Sequence, residues 1–104
     1  MNSSLDRVEP LIKSIEQVFN VKREDLVSPR RFSNLVEART TFAYLLSTEE
    51  NFSNDQIAKA TNRTPAWASW AVMQCSDRGE VDPQYATKVS LAFMEYKHRR
   101  VLSR

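Results

Sequence analysis

Glycine is almost missing from this 104-residue sequence, with Gly79 as its single example. Phosphate-cradling loops of the G-x-x-x-x-G-K or G-x-G-x-x-G type are therefore excluded, and no nucleotide-binding module is expected. Tight two-residue hairpins lose their usual residue as well, which argues against a β-rich chain. Cys75 and His98 are likewise single. A lone cysteine cannot close an internal disulfide and fits a reducing compartment. One Cys and one His are too few for a zinc site, and His98 lies in a basic tail without an evident nucleophile to serve. Neither an enzyme nor a cofactor is expected, and Cys75 reads as a small buried residue. No run approaches the ~18 apolar residues of a membrane span. The first residues show no basic segment leading into an apolar one. A cytoplasmic protein without membrane contact is the expectation.

What is present is helical periodicity with charge enough for a surface, 41% hydrophobic and 27% charged residues, which suffices for one core over residues 1–104. Net charge is only +2, but it is unevenly spread: residues 1–50 sum to −1 and residues 51–104 to +3. Arg30-Arg31 and Lys97-His98-Arg99-Arg100 are the local clusters. The second reads equally as a frayed, solvated tail over 97–104 or as a phosphate contact.

Pro10 suits a first helical turn, and Leu11, Ile12, Ile15, Val18 and Phe19 follow at helical spacing, so a first helix is predicted over 10–19. Ser3 and Asp6 are candidate caps for an extra turn before it. Arg23 to Leu26 can form one turn that inserts Leu26 into the core. Asn34 with Glu37 reads as a capping box that starts the next helix. Its buried face is Leu35, Ala38, Phe42, Leu45 and Leu46, and it should end before Glu49-Glu50-Asn51. Ser53 with Gln56 forms a second box, for a short helix over 54–60. Thr64-Pro65 opens another that ends near Gly79. Asp82-Pro83 opens the last, with Tyr85, Val89, Ala92 or Phe93, and Tyr96 on one side. The fold class is all-α, a compact bundle of five or six helices with its core over about 10–97.

The segment from Gln56 to Val72 carries the most functional information. Ile57 and Ala60 on one short helix face Ala68, Ala71, Val72 and Cys75 on the next, and the small residues permit a close, steep crossing. Asn62 falls where the turn asks for a left-handed residue. This is the sequence form of a helix-turn-helix, whose second helix enters the DNA major groove. An ordinary helical hairpin is the alternative.

From Ile12 to about Tyr96 the order of motifs resembles the C-terminal DNA-binding domain of the bacterial replication initiator DnaA, a Trp-repressor-like helix-turn-helix. The family's "V-x-x-x-D-L-x-S-x-R-R" loop is matched by Val21 to Arg31, and its "A-R-x-x-A-x-Y-L-L" helix by Ala38 to Leu46. Its "S-x-x-x-I-G" helix resembles Ser53 to Ala58. The resemblance implies a stand-alone module with double-stranded DNA as partner and a role in replication or transcription. It implies that Arg31, with Arg30 beside it, reaches the minor groove, and that Arg39 contacts phosphate. A surface ion pair is the other reading of Arg39. At the family's "G-G-R-D-H-T-T-V" signature this chain has Asn62 to Ala68, one residue shorter. Arg63 survives, but the Asp, His and Thr become Thr64, Pro65 and Ala66, with Trp67 at the second Thr. The family's base-reading residues are thus not carried over.

Trp67, Trp70 and Gln74 fall on the side of their helix away from Ala68, Ala71 and Cys75, so exposure is expected unless the last helix folds back over one of them. Exposed, Thr64, Ala66, Trp67, Ser69, Trp70 and Gln74 would form the DNA-facing surface, with Arg30, Arg31, Arg39 and Arg63 on the backbone. The same two tryptophans fit a protein partner or a homodimer, and that reading is kept as the alternative.

Overall fold

Three asparagines do the work that glycine usually does in this chain. Asn20, Asn51 and Asn62 adopt φ values of 55°, 56° and 58°, the left-handed region, and each directly follows a helix. Asparagine tolerates this conformation better than other residues with a side chain. At Asn20 and Asn62 the following N–H groups turn back on the helix, Val21 to Glu16 (3.2 Å) and Arg63 to Ala58 (2.8 Å), which satisfies carbonyls that would otherwise be orphaned. Gly79, in contrast, sits in a helix with open space where a Cβ would be.

A computed structural model describes residues 3–102, with side chains from Val8 onward. It contains six helices and, among the described residues, no strand: α1 (Ser3–Phe19), α2 (Arg23–Leu26), α3 (Ser33–Glu50), α4 (Asn54–Thr61), α5 (Pro65–Val81) and α6 (Pro83–Leu102). The expected all-α bundle is the fold. Leu11, Ile15 and Phe19 of α1, Phe42, Leu45 and Leu46 of α3, Ile57 of α4 and Tyr96 of α6 meet in one core, and Leu26 joins it from α2. The alanines Ala68 and Ala71 are fully buried where α5 packs on α3 and α4, and Ala92 where α6 packs on its neighbours. None of the described helices is long and apolar enough to cross a membrane.

Several boundaries differ from the sequence reading. Helix α1 runs back past Pro10, which lies inside it. The fully buried Val8 holds the preceding turn on the core, and the proline removes only one helical hydrogen bond there. The capping roles expected of Ser3 and Asp6 fall on side chains outside those described. Helix α3 starts at Ser33 after Phe32, not at Asn34, because the Phe32 carbonyl accepts from Leu35 and Val36. Glu37 is accordingly no cap: its carboxylate takes Arg78 of α5 and Lys88 of α6 and ties three helices together. Helix α3 also continues through Glu50, which is buried and accepts the Tyr96 hydroxyl. The tail from Lys97 continues α6 as far as Leu102. Its basic residues are used within the fold: Arg99 bonds Gln17 and Glu95, Arg100 bonds Tyr96, and Lys97 lies over the Phe93 ring.

Burial makes Tyr85 and Tyr96 alkaline-sensitive. Burial first, then the bonded Glu50, pushes the Tyr96 phenol up to about 12. Burial pushes Tyr85, bonded to Thr40 and Thr41, up as well. Between pH 10 and 12 the unfolded chain loses the Tyr96 proton while the folded one keeps it, so stability falls as pH rises through that window. Thermal melts should show Tm flat below pH 10 with respect to this group and decreasing above it. Tyr96→Phe should flatten part of that decrease.

Candidate nucleic-acid interface

Helices α4 and α5 are each started by a side chain and separated by three residues. Ser53 and Gln56 form the reciprocal box predicted from the sequence, with Gln56 N–H on the Ser53 hydroxyl (3.2 Å) and Ser53 N–H on the Gln56 side-chain Oε1 (2.8 Å). Asn62 closes α4. Thr64 then caps α5 by accepting the Trp67 N–H at 3.1 Å, with Pro65 in the first turn. Ala68, Ala71 and Cys75 face inward, while Ala66, Ser69, Trp70, Met73 and Gln74 are exposed. The two helices joined by a short turn that the sequence predicts are thus present, with the outer face of the second open to solvent. The left-handed turn residue gives a direct check. Asn62→Ala should lose about 1 kcal/mol of stability and Asn62→Gly little or none, measured by urea unfolding.

The chain between α2 and α3 folds against this element. Ser28 donates its hydroxyl to the Asp25 carbonyl (3.0 Å), and its own carbonyl accepts Arg63 Nη2 at 2.7 Å. Arg63 reaches Thr61 O at 2.8 Å through its other nitrogen, and Asn62 Nδ2 reaches Val27 O at 3.4 Å. From beneath, Arg39 binds the same segment. Its Nη1 donates to Arg30 O, and its Nη2 donates to Asp25 O (2.7 Å) and Ser28 Oγ (3.0 Å). Only 2% of Arg39 is exposed. It is neither a surface ion pair nor a free phosphate contact. Its planar fork matches three acceptors on one loop, which an ammonium could not do.

Arg31, by contrast, is exposed, and among the described residues no hydrogen bond or ion pair involves it. Its charge lies close enough to Arg63 and Arg39 to disfavour theirs: burial first and then Arg31 lower Arg63, while burial first and then Arg63 lower Arg39, with Asp25 opposing. Like charges held together in this way favour an anion nearby.

Arg31, Arg63, Thr64, Trp67 and Trp70 line one open cleft of about 510 Å3, with Val36 and the buried Arg39 behind them. Trp67 is half-buried against the core with the Arg63 guanidinium over its ring at 5.4 Å. Trp70 lies 6.4 Å from Trp67, tilted by 50°, and is 47% exposed. Helix α6 leaves it uncovered. Six of the ten residues singled out from the sequence thus border one cleft. Arg30 stands beside Arg31 on the loop, and Ala66, Ser69 and Gln74 lie on the open face of α5 outside it. Sequence reasoning missed Val36, Ser28 as the acceptor that joins Arg39 to the loop, and the 64%-exposed Phe32 next to it. The Ser-x-Arg-Arg spacing was the available signal for Ser28.

No protein-family model matches the chain, and no curated protein matches it. Function is therefore read from the site and not from the fold.

Proposed function

We propose that this chain is a cytoplasmic helix-turn-helix module that binds double-stranded DNA and regulates replication or transcription, similar in kind to the C-terminal domain of DnaA. One observation carries the reading: the guanidinium groups of Arg31, Arg39 and Arg63 converge at the start of α5, beside a solvent-open face of that helix. Arg30 and Arg31 hold the DNA backbone or minor groove. Arg39 acts through the loop it fixes, because only 2% of it is exposed and both its terminal nitrogens bind that segment. Arg63 divides its donors between that loop and the turn while its charge remains at the mouth of the cleft. Helix α5 presents Thr64, Ala66, Trp67, Ser69, Trp70 and Gln74 to the major groove. The experiment is fluorescence anisotropy with a random duplex at low and moderate salt. Salt-sensitive binding supports the reading, and absence of binding at low salt removes it.

A second reading is favoured by the exposure of Trp70 (47%), Met73 (60%) and Phe32 (64%): the same surface docks a protein or a second copy of the chain. Self-association lost on Trp67→Ala/Trp70→Ala, in a chain without DNA affinity, would favour it.

A further inference from the structure

The cleft at the start of α5 differs from what duplex readout alone would require. Base edges in a groove are read by amides, guanidinium groups and carboxylates at hydrogen-bonding distance. The open face of α5 offers Ala66, Ser69, Trp70 and Met73 over its first turns, and Trp70 brings a flat apolar area with a single N–H donor. A duplex keeps the faces of its bases stacked and out of reach, so an indole can stack ring on ring only with a base that has left the stack.

The geometry around Trp70 fits such a base. The Trp67 ring is engaged by Arg63 on one side and packs on the core, so it is a fixed wall. Trp70, tilted 50° to it and half-exposed, offers the accessible ring surface. Val36 and Arg31 also line the cleft, and Arg31 has no hydrogen-bond or ion-pair partner among the described residues. A volume of about 510 Å3 is within the ~300–1,000 Å3 typical of small-ligand clefts. An aromatic platform beside unneutralised guanidinium groups is the composition used for unpaired nucleotides, with ring for base and charge for phosphate.

We propose that this cleft takes one unpaired nucleotide of a DNA strand, its base stacked on Trp70 and its phosphate held by Arg31 and Arg63. The chain would accordingly prefer DNA containing a short unpaired segment over fully paired DNA. This rests on the reading that the loop and α5 form a DNA-binding face. Duplex flanks engage the Arg30-Arg31 loop, and the unpaired base supplies the additional contact.

Anisotropy should compare three labelled oligonucleotides of equal length: a full duplex, the same duplex with a central unpaired bulge, and the single strand. Stacking of one base on an aromatic side chain is worth about 5- to 100-fold in affinity, so the bulged DNA should bind at least about fivefold tighter than the duplex and quench tryptophan fluorescence. Trp70→Ala should erase that preference, so that the variant binds bulged and paired DNA equally, while Trp70→Phe should retain most of it. Trp70 is half-exposed, and far-UV circular dichroism of the variant checks that folding is intact. Equal affinity for bulged and paired DNA, or a preference that survives Trp70→Ala, would overturn the inference and leave duplex binding standing. No binding to any of the three at low salt would overturn both.

Discussion

Arg39→Ala should destabilise the fold by about 3 kcal/mol and abolish DNA binding, although Arg39 itself is nearly inaccessible. The guanidinium makes three part-buried hydrogen bonds, to Asp25, Ser28 and Arg30. Bonds to a charged group are individually strong, and deleting the donor removes all three at once. The cavity left in the first half of α3 adds to the loss. For a domain of this size the expected fall in Tm is roughly 10–20 °C. The loop carrying Arg30 and Arg31 would then be held only by Arg63 and Asn62. Arg39→Lys discriminates between explanations. If Arg39 served only as a positive charge, lysine would restore binding. If its fork fixes the loop, lysine should fail, since three ammonium donors cannot reproduce a planar pair of donors aimed at separate residues. Circular dichroism melts and anisotropy on the same variants separate loss of fold from loss of binding.

The second large effect is electrostatic and leaves the fold alone. Each phosphate contact contributes about 0.9 to the slope of log K against log salt, equivalent to about eightfold in affinity at 0.1 M salt. Arg30→Ala/Arg31→Ala should therefore lower affinity about 60-fold at that salt and reduce the slope by about 1.8, with Tm unchanged within 1–2 °C. Both side chains are exposed and hold nothing else in place: Arg30 contributes to the loop only through its backbone. Unchanged slope in the double variant would take the loop out of the interface.

The parts of this architecture legible in the sequence are those decided by neighbours a few residues apart. The Ser53/Gln56 box, Thr64-Pro65 and Asn62 are local devices, and each sits where the pattern put it. Asn20 and Asn51 repeat the Asn62 device and could have been read the same way, since both follow an apolar-periodic segment in a chain that has almost no glycine. Other positions were decided by distant partners. Glu37 looked like half of a capping box because its real partners, Arg78 and Lys88, are 41 and 51 residues away. Glu50 looked like a solvated helix end, yet Tyr96 reaches it from 46 residues on and keeps α3 helical to that point. Arg39 is the largest case. An arginine on a helix reads as a surface cation, and only the return of the 25–30 segment over it turns it into a buried clamp. At the site itself, six of the ten residues singled out from the sequence border one cleft. Which of them is free to meet a ligand, Arg31, and which is committed to the protein, Arg39, is set by tertiary hydrogen bonds that no local pattern encodes.

DNA binding through one face of the molecule is tested by mapping that face. Amide chemical shifts of the labelled chain, followed during titration with a short duplex at low salt, should move at residues 28–31 and 62–74 and stay nearly fixed along the outer side of α6. Shifts concentrated on α6 around Leu91 and Met94, or none anywhere at saturating duplex, would contradict a DNA interface built from the Arg30-Arg31 loop and the start of α5.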